Sequence, residues 1–250
     1  MKKTLWLEFL KMTAYACLIF AALLGVSYLL EWAIPAWGGQ LLQWHSPAFL
    51  VGIPASIIGT AYVLTIRNPK NYVGFVGGIT MSLFLGGQFY LLGAYDLLFM
   101  QICIFVPFMT SSLLCWRKRT LREEHTGNAA PQFLRGKSLV ATLLIAAMIV
   151  ATDYALITLV MQHNAWDENI LLKLTAAVMF ASSVMANFWM IYQKLDAWVW
   201  WIIHSVGGML FYILENNIFS LLYYTVCLVV NGIAFWSWLK ILQSSKKKAG

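Results

Sequence analysis

The sequence predicts an all-α integral membrane protein with eight transmembrane helices. Of its 250 residues, 61% are hydrophobic and only 11% are charged, whereas soluble domains are about half apolar and about a quarter charged. About 20 apolar residues in a helix cross the hydrocarbon core of a bilayer. Eight such runs follow one another along the chain, which gives predicted spans at 12–32, 49–66, 72–92, 96–116, 139–161, 170–192, 198–214 and 219–239.

The basic residues segregate to one side of this topology. With eight spans both termini lie on the same side, and that side carries every Lys and Arg of the chain except Lys173. Basic residues accumulate on the cytoplasmic side of membrane proteins, so we expect a multi-pass protein of the cell (inner) membrane with both termini cytoplasmic. The net charge of +7 is therefore assigned to membrane orientation. We expect no nucleic-acid partner, because the sequence has no basic stripe interleaved with exposed aromatic residues.

An internal repeat predicts how the helices are grouped. An offset of 124 positions lays Lys70–Leu114 over Lys194–Trp238 without a gap, and the helix boundaries coincide. The spans then form two parallel triplets joined by a single inverting helix, a 3+1+3 arrangement like that of the SWEET carriers and typical of transporters. We divide the chain into five segments. Residues 1–48 form an extra N-terminal transmembrane helix with a periplasmic connector, and residues 49–118 form a first three-helix bundle. Residues 119–169 form a cytoplasmic connector with the inverter helix, residues 170–240 a second three-helix bundle and residues 241–250 a basic cytoplasmic tail.

The sequence carries no reactive motif. It has no HExxH, no P-loop, no nucleophile elbow and no carboxylates paired at reactive spacing, so we predict that it is not an enzyme and has no catalytic residues. The four cysteines all fall inside apolar runs and form no pattern with zinc spacing. We therefore expect no metal and no cofactor, with the lipid bilayer and a small molecule as partners. A homo-oligomer is compatible with the sequence.

Several segments resemble the PnuC family of vitamin transporters. In the first half these segments are Asn71-Tyr72-Val73-Gly74, Gly93-Ala94-Tyr95-Asp96, Pro107 and Trp116. In the second half they are the W-x-x-W stretch from Trp198 to Trp201 and the aromatic Trp236-Ser237-Trp238. The family often has Asp or Asn four residues after the second Trp, where this sequence has Ser205. The resemblance covers about 49–240.

The resemblance implies a function. PnuC proteins carry nicotinamide riboside by facilitated diffusion, and a cytosolic kinase traps the vitamin by phosphorylation, so that kinase is a functional partner. Relatives carry thiamine or riboflavin, which leaves another vitamin as an alternative. A vitamin-binding membrane subunit driven by a separate ATPase is a further alternative.

One helix face carries the aromatic candidates for the substrate site. Trp198, Trp201, Ser205, Gly208 and Tyr212 recur at spacings of three and four, so they share a face, and His204 lies one step round from it. A flat cationic ring stacks well on indole, which favours Trp201 as the stacking residue. Tryptophans near a helix end are often interfacial anchors, and this alternative stays open for Trp198, Trp200 and Trp238.

Polar residues inside apolar helices complete the candidate site. Gln88, Asn187 and Asn231 supply amides that suit a carboxamide and ribose hydroxyls. Asp153 is the one acidic residue deep within a span, where a cationic ligand would offset its charge. The alternative for each amide is a hydrogen bond between helices. For Asp153 it is a structural residue that bonds to a neighbouring helix or is protonated.

Overall fold

The computed structural model describes residues 2–33, 46–91, 95–126, 131–161 and 169–249. Within these ranges the chain forms eight helices that are long and apolar enough to cross a membrane. Six of them are α1 Lys2–Ala33, α2 Pro47–Ile66, α3 Gly74–Leu91, α6 Ile170–Ile191, α7 Asp196–Leu214 and α8 Ile218–Ala249. Helix α4 is continuous from Tyr95–Phe99 through a π-helical Met100–Phe105 to Val106–Thr126. Helix α5 is Lys137–Leu156 followed by a π-helical Ile157–Met161.

All eight predicted spans are present, and three helices extend well beyond them. Helix α1 begins ten residues before the predicted span at 12–32, and α4 and α8 each continue about ten residues past predicted ends at 116 and 239. A span is recognised by its apolar length, but a helix satisfies its own backbone hydrogen bonds and continues into the headgroup region or water. Residues 117–126, predicted as part of a connector, are therefore the end of α4.

Short polar side chains precede α2, α6 and α8 and bond to the first turn of each helix. The hydroxyl of Ser46 accepts a hydrogen bond from the Phe49 amide at 3.2 Å, and Pro47 follows as the first residue of α2. Asn169 accepts from Leu172 at 3.0 Å before α6, and Asn217 accepts from Ser220 at 3.0 Å before α8. Each side chain satisfies an amide that the first helical turn leaves without a partner.

The helices pack as two groups of three with the same internal order. We call α2–α4 the first half and α6–α8 the second half. In the first half α3 contacts both α2 and α4, and in the second half α7 contacts both α6 and α8. Between the halves α4 packs against α6 and α2 against α8, while α5 packs on α6 and α1 lies across α2 and α8.

Two indole groups link the halves reciprocally. Trp116 of α4 donates its indole N–H to the backbone carbonyl of Met190 in α6 at 2.7 Å. Trp238 of α8 donates in the same way to the carbonyl of Ile66 in α2 at 3.3 Å. Ile66 and Met190 occupy matching positions under the offset of 124 that also separates Pro69 from Gln193. The last helix of each half therefore carries a tryptophan that donates to a carbonyl at the end of the first helix of the other half.

These tryptophans form the centre of a buried cluster. Trp116 and Trp238 lie with ring centroids 5.6 Å apart, Trp238 and Trp198 lie 5.5 Å apart, and Phe75 packs edge-on against Trp116 at 4.7 Å. All four side chains are fully buried. We call Trp116, Trp198 and Trp238 the tryptophan cluster. The alternative that Trp198 and Trp238 are interfacial anchors does not hold, because both rings are fully buried within the protein.

The connectors beside the tryptophan cluster also bond across the halves. The side-chain amide of Gln193, between α6 and α7, donates to the carbonyl of Pro69, between α2 and α3, at 2.9 Å. Arg119 at the end of α4 donates to the side-chain oxygen of Gln193 at 2.7 Å. We call the side of the protein formed by these connectors the basic side, because it carries Arg67, Lys70, Arg119 and Lys194.

The segment that precedes α5 lies along the second half. The carbonyl of Gln132 accepts from the Leu195 amide at 2.9 Å, and the carboxylate of Asp196 accepts from the Leu134 amide at 2.7 Å. Leu134 is buried. The connector is thereby fixed to the beginning of α7.

Helix α1 is bonded to the first half on the basic side. The carboxylate of Glu8 accepts from the side-chain amide of Asn71 at 2.8 Å and from that of Asn68 at 3.3 Å. Phe9 covers Gly77, where a Cβ atom would come within 2.7 Å of the phenyl ring. Further along α1, Met12 packs in a small cluster with Val230 of α8. The extra helix therefore contacts both halves.

We predict that Trp116→Phe lowers the stability of the protein. The variant keeps an aromatic ring in the cluster but removes the indole donor, so that the Met190 carbonyl accepts only from the Gln193 amide at 3.1 Å, and the loss of one hydrogen bond costs about 0.5–1.5 kcal/mol. Thermal unfolding in detergent, followed by circular dichroism, measures the change. Trp236→Phe is the matched control, because Trp236 is 56% exposed. Equal losses of stability in the two variants would contradict the structural role given to the indole bond.

Candidate functional site

A continuous row of aromatic side chains lies between α7 and α8. Trp201 and His204 of α7 are in edge-to-face contact with ring centroids 5.4 Å apart. His204 lies 5.6 Å from Tyr224 of α8, and Tyr224 lies 5.4 Å from Tyr212 of α7. We call these four residues the aromatic row. Three of them, Trp201, His204 and Tyr212, are predicted site residues, so the structure brings them together.

Tyr224 takes its place in the row because α7 has a glycine opposite it. A Cβ atom built at Gly208 would collide with the ring of Tyr224. The neighbouring Tyr223 reaches towards the first half, where its hydroxyl lies 3.7 Å from a Cβ built at Gly59 of α2. Helix α8 therefore presents Tyr224 to the aromatic row and the preceding Tyr223 to α2. The aromatic row thus lies close to the boundary between the halves.

His204 is oriented by a backbone carbonyl of α6. Its Nδ1 lies 2.9 Å from the carbonyl oxygen of Met179. A carbonyl only accepts, so Nδ1 carries the proton in this contact, and Nε2 of the neutral imidazole is left as an acceptor. The imidazole ring therefore offers Nε2 as one hydrogen-bond acceptor in a fixed position.

Asn231 of α8 is held by the turn of α7 that carries Trp201. Its side-chain amide nitrogen donates to the hydroxyl of Ser205 at 3.0 Å and to the carbonyl of Trp201 at 3.3 Å. The Ser205 hydroxyl also donates to the Trp201 carbonyl at 2.9 Å. The oxygen of the Asn231 side chain is buried and has no hydrogen-bond partner among the described residues.

Besides Asn231, two further predicted residues of the second half are not part of the aromatic row. Trp198 belongs to the tryptophan cluster, one turn of α7 towards the basic side from Trp201. Asn187 is 2% exposed, and its amide nitrogen donates to the Ser183 carbonyl of its own helix at 2.9 Å. This bond within α6 differs from the hydrogen bond between helices considered as the alternative for Asn187.

The remaining two predicted residues lie on other helix pairs. The amide of Gln88 in α3 packs against Gly52 of α2, where a Cβ would come within 2.7 Å of its nitrogen. Asp153 of α5 lines a groove of about 270 Å³ together with residues of α5 and with Phe180 of α6. The groove and the aromatic row share no residue.

Tyr224 and the buried polar atoms of the first half were missed by the sequence interpretation. Tyr224, Asn231 and Trp238 recur every seven residues, so their shared face of α8 could have been found from spacing. In the first half Gln101 is 5% exposed, and its side-chain oxygen has no partner among the described residues. It lies on the π-helical turn of α4, a feature frequent at functional sites. Ser82 of α3 also has a buried hydroxyl without a partner in the described part of the chain.

Metal chemistry is not indicated by the part of the chain that the structure describes. In it, no three His, Cys, Asp or Glu side chains come together in a group that could hold a metal ion. The arrangement offers flat rings and single hydrogen-bond acceptors. It suits the binding of an aromatic molecule that carries donors.

Comparisons with known proteins agree with a membrane carrier. The model of a family described as nicotinamide mononucleotide transporter matches residues 50–240. No curated protein matches the chain significantly. The solved structure described as "Crystal structure of the Vitamin B3 transporter PnuC" superposes with a TM-score of 0.58 at 12% sequence identity, and the match covers 94% of this chain and 97% of that chain. The likeness to this structure shows a common fold.

We predict that Gly208→Ala disturbs the aromatic row. The new methyl group occupies the position of the Tyr224 ring, so Tyr224 must move and the protein should unfold at a lower temperature, with a loss of about 1–3 kcal/mol as for other overpacked sites. Thermal unfolding in detergent checks this. Gly232→Ala on α8 is the matched control, because a Cβ there meets nothing within 4 Å. A Gly208→Ala protein as stable as the Gly232→Ala protein would show that Tyr224 is not held against α7 in this way.

Proposed function

The chain belongs to the nicotinamide mononucleotide transporter family, the PnuC family that its sequence resembles, and on this premise we propose that it carries nicotinamide riboside across the membrane by facilitated diffusion. It is a multi-pass membrane transporter.

The aromatic row is the observation on which the substrate proposal depends. Nicotinamide riboside has a flat pyridinium ring with a positive charge, and a cation over the face of a tryptophan gains about 2 kcal/mol when the pair is desolvated. Trp201 would stack on this ring, with His204, Tyr212 and Tyr224 around it. The acceptors left at His204 Nε2 and at the Asn231 side-chain oxygen would meet the donors of the vitamin.

The distribution of charge favours the riboside over the mononucleotide in the family's description. A phosphate group is bound mainly by Arg, Lys and helix N-termini. No Lys or Arg occurs between Lys173 and Lys194 or between Lys194 and Lys240, so α7 and the membrane part of α8 carry none. A buried phosphate beside the aromatic row would have no basic side chain on these two helices.

We assign the polar residues of the two halves to the sugar and the carboxamide. Asn231 and His204 lie at the aromatic row. Asn187 and Gln88 would reach the substrate from α6 and α3, and Gln101 from α4. Asp153 lies in the α5–α6 groove, so it would compensate the cationic ring from a distance. Trp198 would act through the tryptophan cluster rather than by contact with the substrate.

Transport would proceed by movement of the two halves against each other. We propose the 3+1+3 arrangement, with α5 as the inverter and α1 as an added helix, in which the basic side is cytoplasmic. The similar packing order of the halves and the reciprocal indole bonds support this arrangement. Opening to the cytoplasm would then require the tryptophan cluster to separate.

Uptake would be coupled to no ion gradient, and phosphorylation of the vitamin by a cytosolic kinase would trap it. Purified protein alone in liposomes tests this function. We expect entry of labelled nicotinamide riboside to the outside concentration and no further, unchanged by proton or sodium gradients. Accumulation above that concentration would contradict facilitated diffusion. Binding without entry would favour the alternative of a vitamin-binding subunit for a separate ATPase, and entry of thiamine or riboflavin instead would replace the substrate.

We predict that Trp201→Ala weakens binding of nicotinamide riboside about 5- to 30-fold, which corresponds to the loss of about 1–2 kcal/mol from a desolvated cation–π contact. Calorimetric titration of the purified protein measures the affinity. Trp200→Ala is the matched control, because it removes the adjacent indole from a different face of α7. Equal affinities of the two variants would remove Trp201 from the site.

A further inference from the structure

Asn231 has a side-chain orientation that its partners determine. The Trp201 carbonyl is an acceptor, so the group of Asn231 that lies 3.3 Å from it must be the amide nitrogen. The Ser205 hydroxyl gives its own hydrogen to the Trp201 carbonyl and is left to accept the other amide hydrogen. Rotating the amide by half a turn would bring two oxygens together. Asn231 therefore presents oxygen, and not nitrogen, to whatever lies beyond it.

That oxygen is an acceptor without a donor. Asn231 is 4% exposed, and its oxygen is fully buried with no partner in the described ranges. A buried acceptor left unsatisfied costs about 1–3 kcal/mol, and in the membrane no bulk water compensates it. The Trp201 carbonyl and the Ser205 hydroxyl, which hold the Asn231 nitrogen, belong to the turn of α7 that carries Trp201 and His204, so the Asn231 side chain lies against that turn. A ligand group that donates a hydrogen bond would satisfy the Asn231 oxygen.

From this orientation we infer that Asn231 determines specificity for a carboxamide over a carboxylate on the bound ring. The inference rests on the proposed function. The NH₂ of a carboxamide donates to the Asn231 oxygen. A carboxylate at the same position has no hydrogen to give, and it brings negative oxygen against the lone pairs of Asn231. The site thereby separates two ribosides that differ only in this group.

Leucine at position 231 removes the acceptor without stranding a protein group. In Asn231→Leu the Trp201 carbonyl still accepts from Ser205, and the Ser205 hydroxyl still donates. Ser205→Ala is a second variant, which removes one of the two bonds that orient Asn231. Ser237→Ala on α8 is the matched control, because the Ser237 hydroxyl bonds only within its own helix, to Ile233 at 2.8 Å.

The test is calorimetric titration of nicotinamide riboside and nicotinic acid riboside against purified wild type and the three variants. We expect wild type and Ser237→Ala to bind the amide at least about tenfold more tightly than the acid, as one unsatisfied buried group predicts. The ratio of the two affinities should fall close to one in Asn231→Leu and to an intermediate value in Ser205→Ala.

Other outcomes separate the inference from the proposed function. If wild type binds both ribosides equally, or if the preference persists in both variants, the inference is overturned and the transport proposal stands. If Asn231→Leu weakens the binding of both ribosides equally, the Asn231 oxygen accepts from the ribose, and the inference is overturned as well. If wild type binds neither riboside, the proposed function fails and the inference fails with it. Should Asn231→Leu not fold, an unchanged ratio in Ser205→Ala is the result that contradicts the inference.

Discussion

The reciprocal indole bonds are the constraint on which the rest of this structure depends. Each half places a tryptophan of its last helix on the carbonyl that ends the first helix of the other half. These bonds bring α4 to α6 and α2 to α8, and they fix the connectors so that Gln193 meets Pro69. A helix end leaves carbonyls without partners, and in the membrane such groups need a donor from the protein. The Trp238 indole N–H supplies it for the Ile66 carbonyl, and the Trp116 indole N–H joins the Gln193 amide as a second donor to the Met190 carbonyl.

Helices α7 and α8 each carry one tryptophan of the cluster together with residues of the proposed substrate site. On α7, Trp198 of the cluster and Trp201 of the aromatic row are one turn apart. On α8, Trp238 of the cluster lies two turns from Asn231, which bonds to α7 beside Trp201. A rigid helix transmits a displacement of the cluster to the aromatic row. Helix α1, fixed to Asn71 through Glu8 and packed against Val230, resists separation of the halves and would have to yield when they move.

The sequence predicts the parts of this structure that are local. Eight spans follow from apolar length, and the shared face of Trp201, Ser205 and Tyr212 follows from helical spacing. Which faces meet depends on contacts between distant residues. Trp198 has the local signature of an interfacial anchor, and only Trp238, brought beside it by the fold, makes it a core residue. Tyr224 fits against α7 because of the glycine opposite it on that helix. Asn231 is a predicted site residue, but only the fold shows that its nitrogen is bonded while its oxygen is buried without a partner among the described residues.

The claim that the halves separate on the basic side during transport is tested most directly by joining them there. Lys70 and Tyr192 are exposed and adjoin Pro69 and Gln193, the residues that bond across the halves. In a protein with the four native cysteines replaced, Lys70→Cys and Tyr192→Cys would be linked by a short reducible bifunctional reagent in liposomes, with each single variant as control. We expect that linkage abolishes uptake of nicotinamide riboside and that reduction restores it. Uptake that continues unchanged in fully linked protein would contradict it.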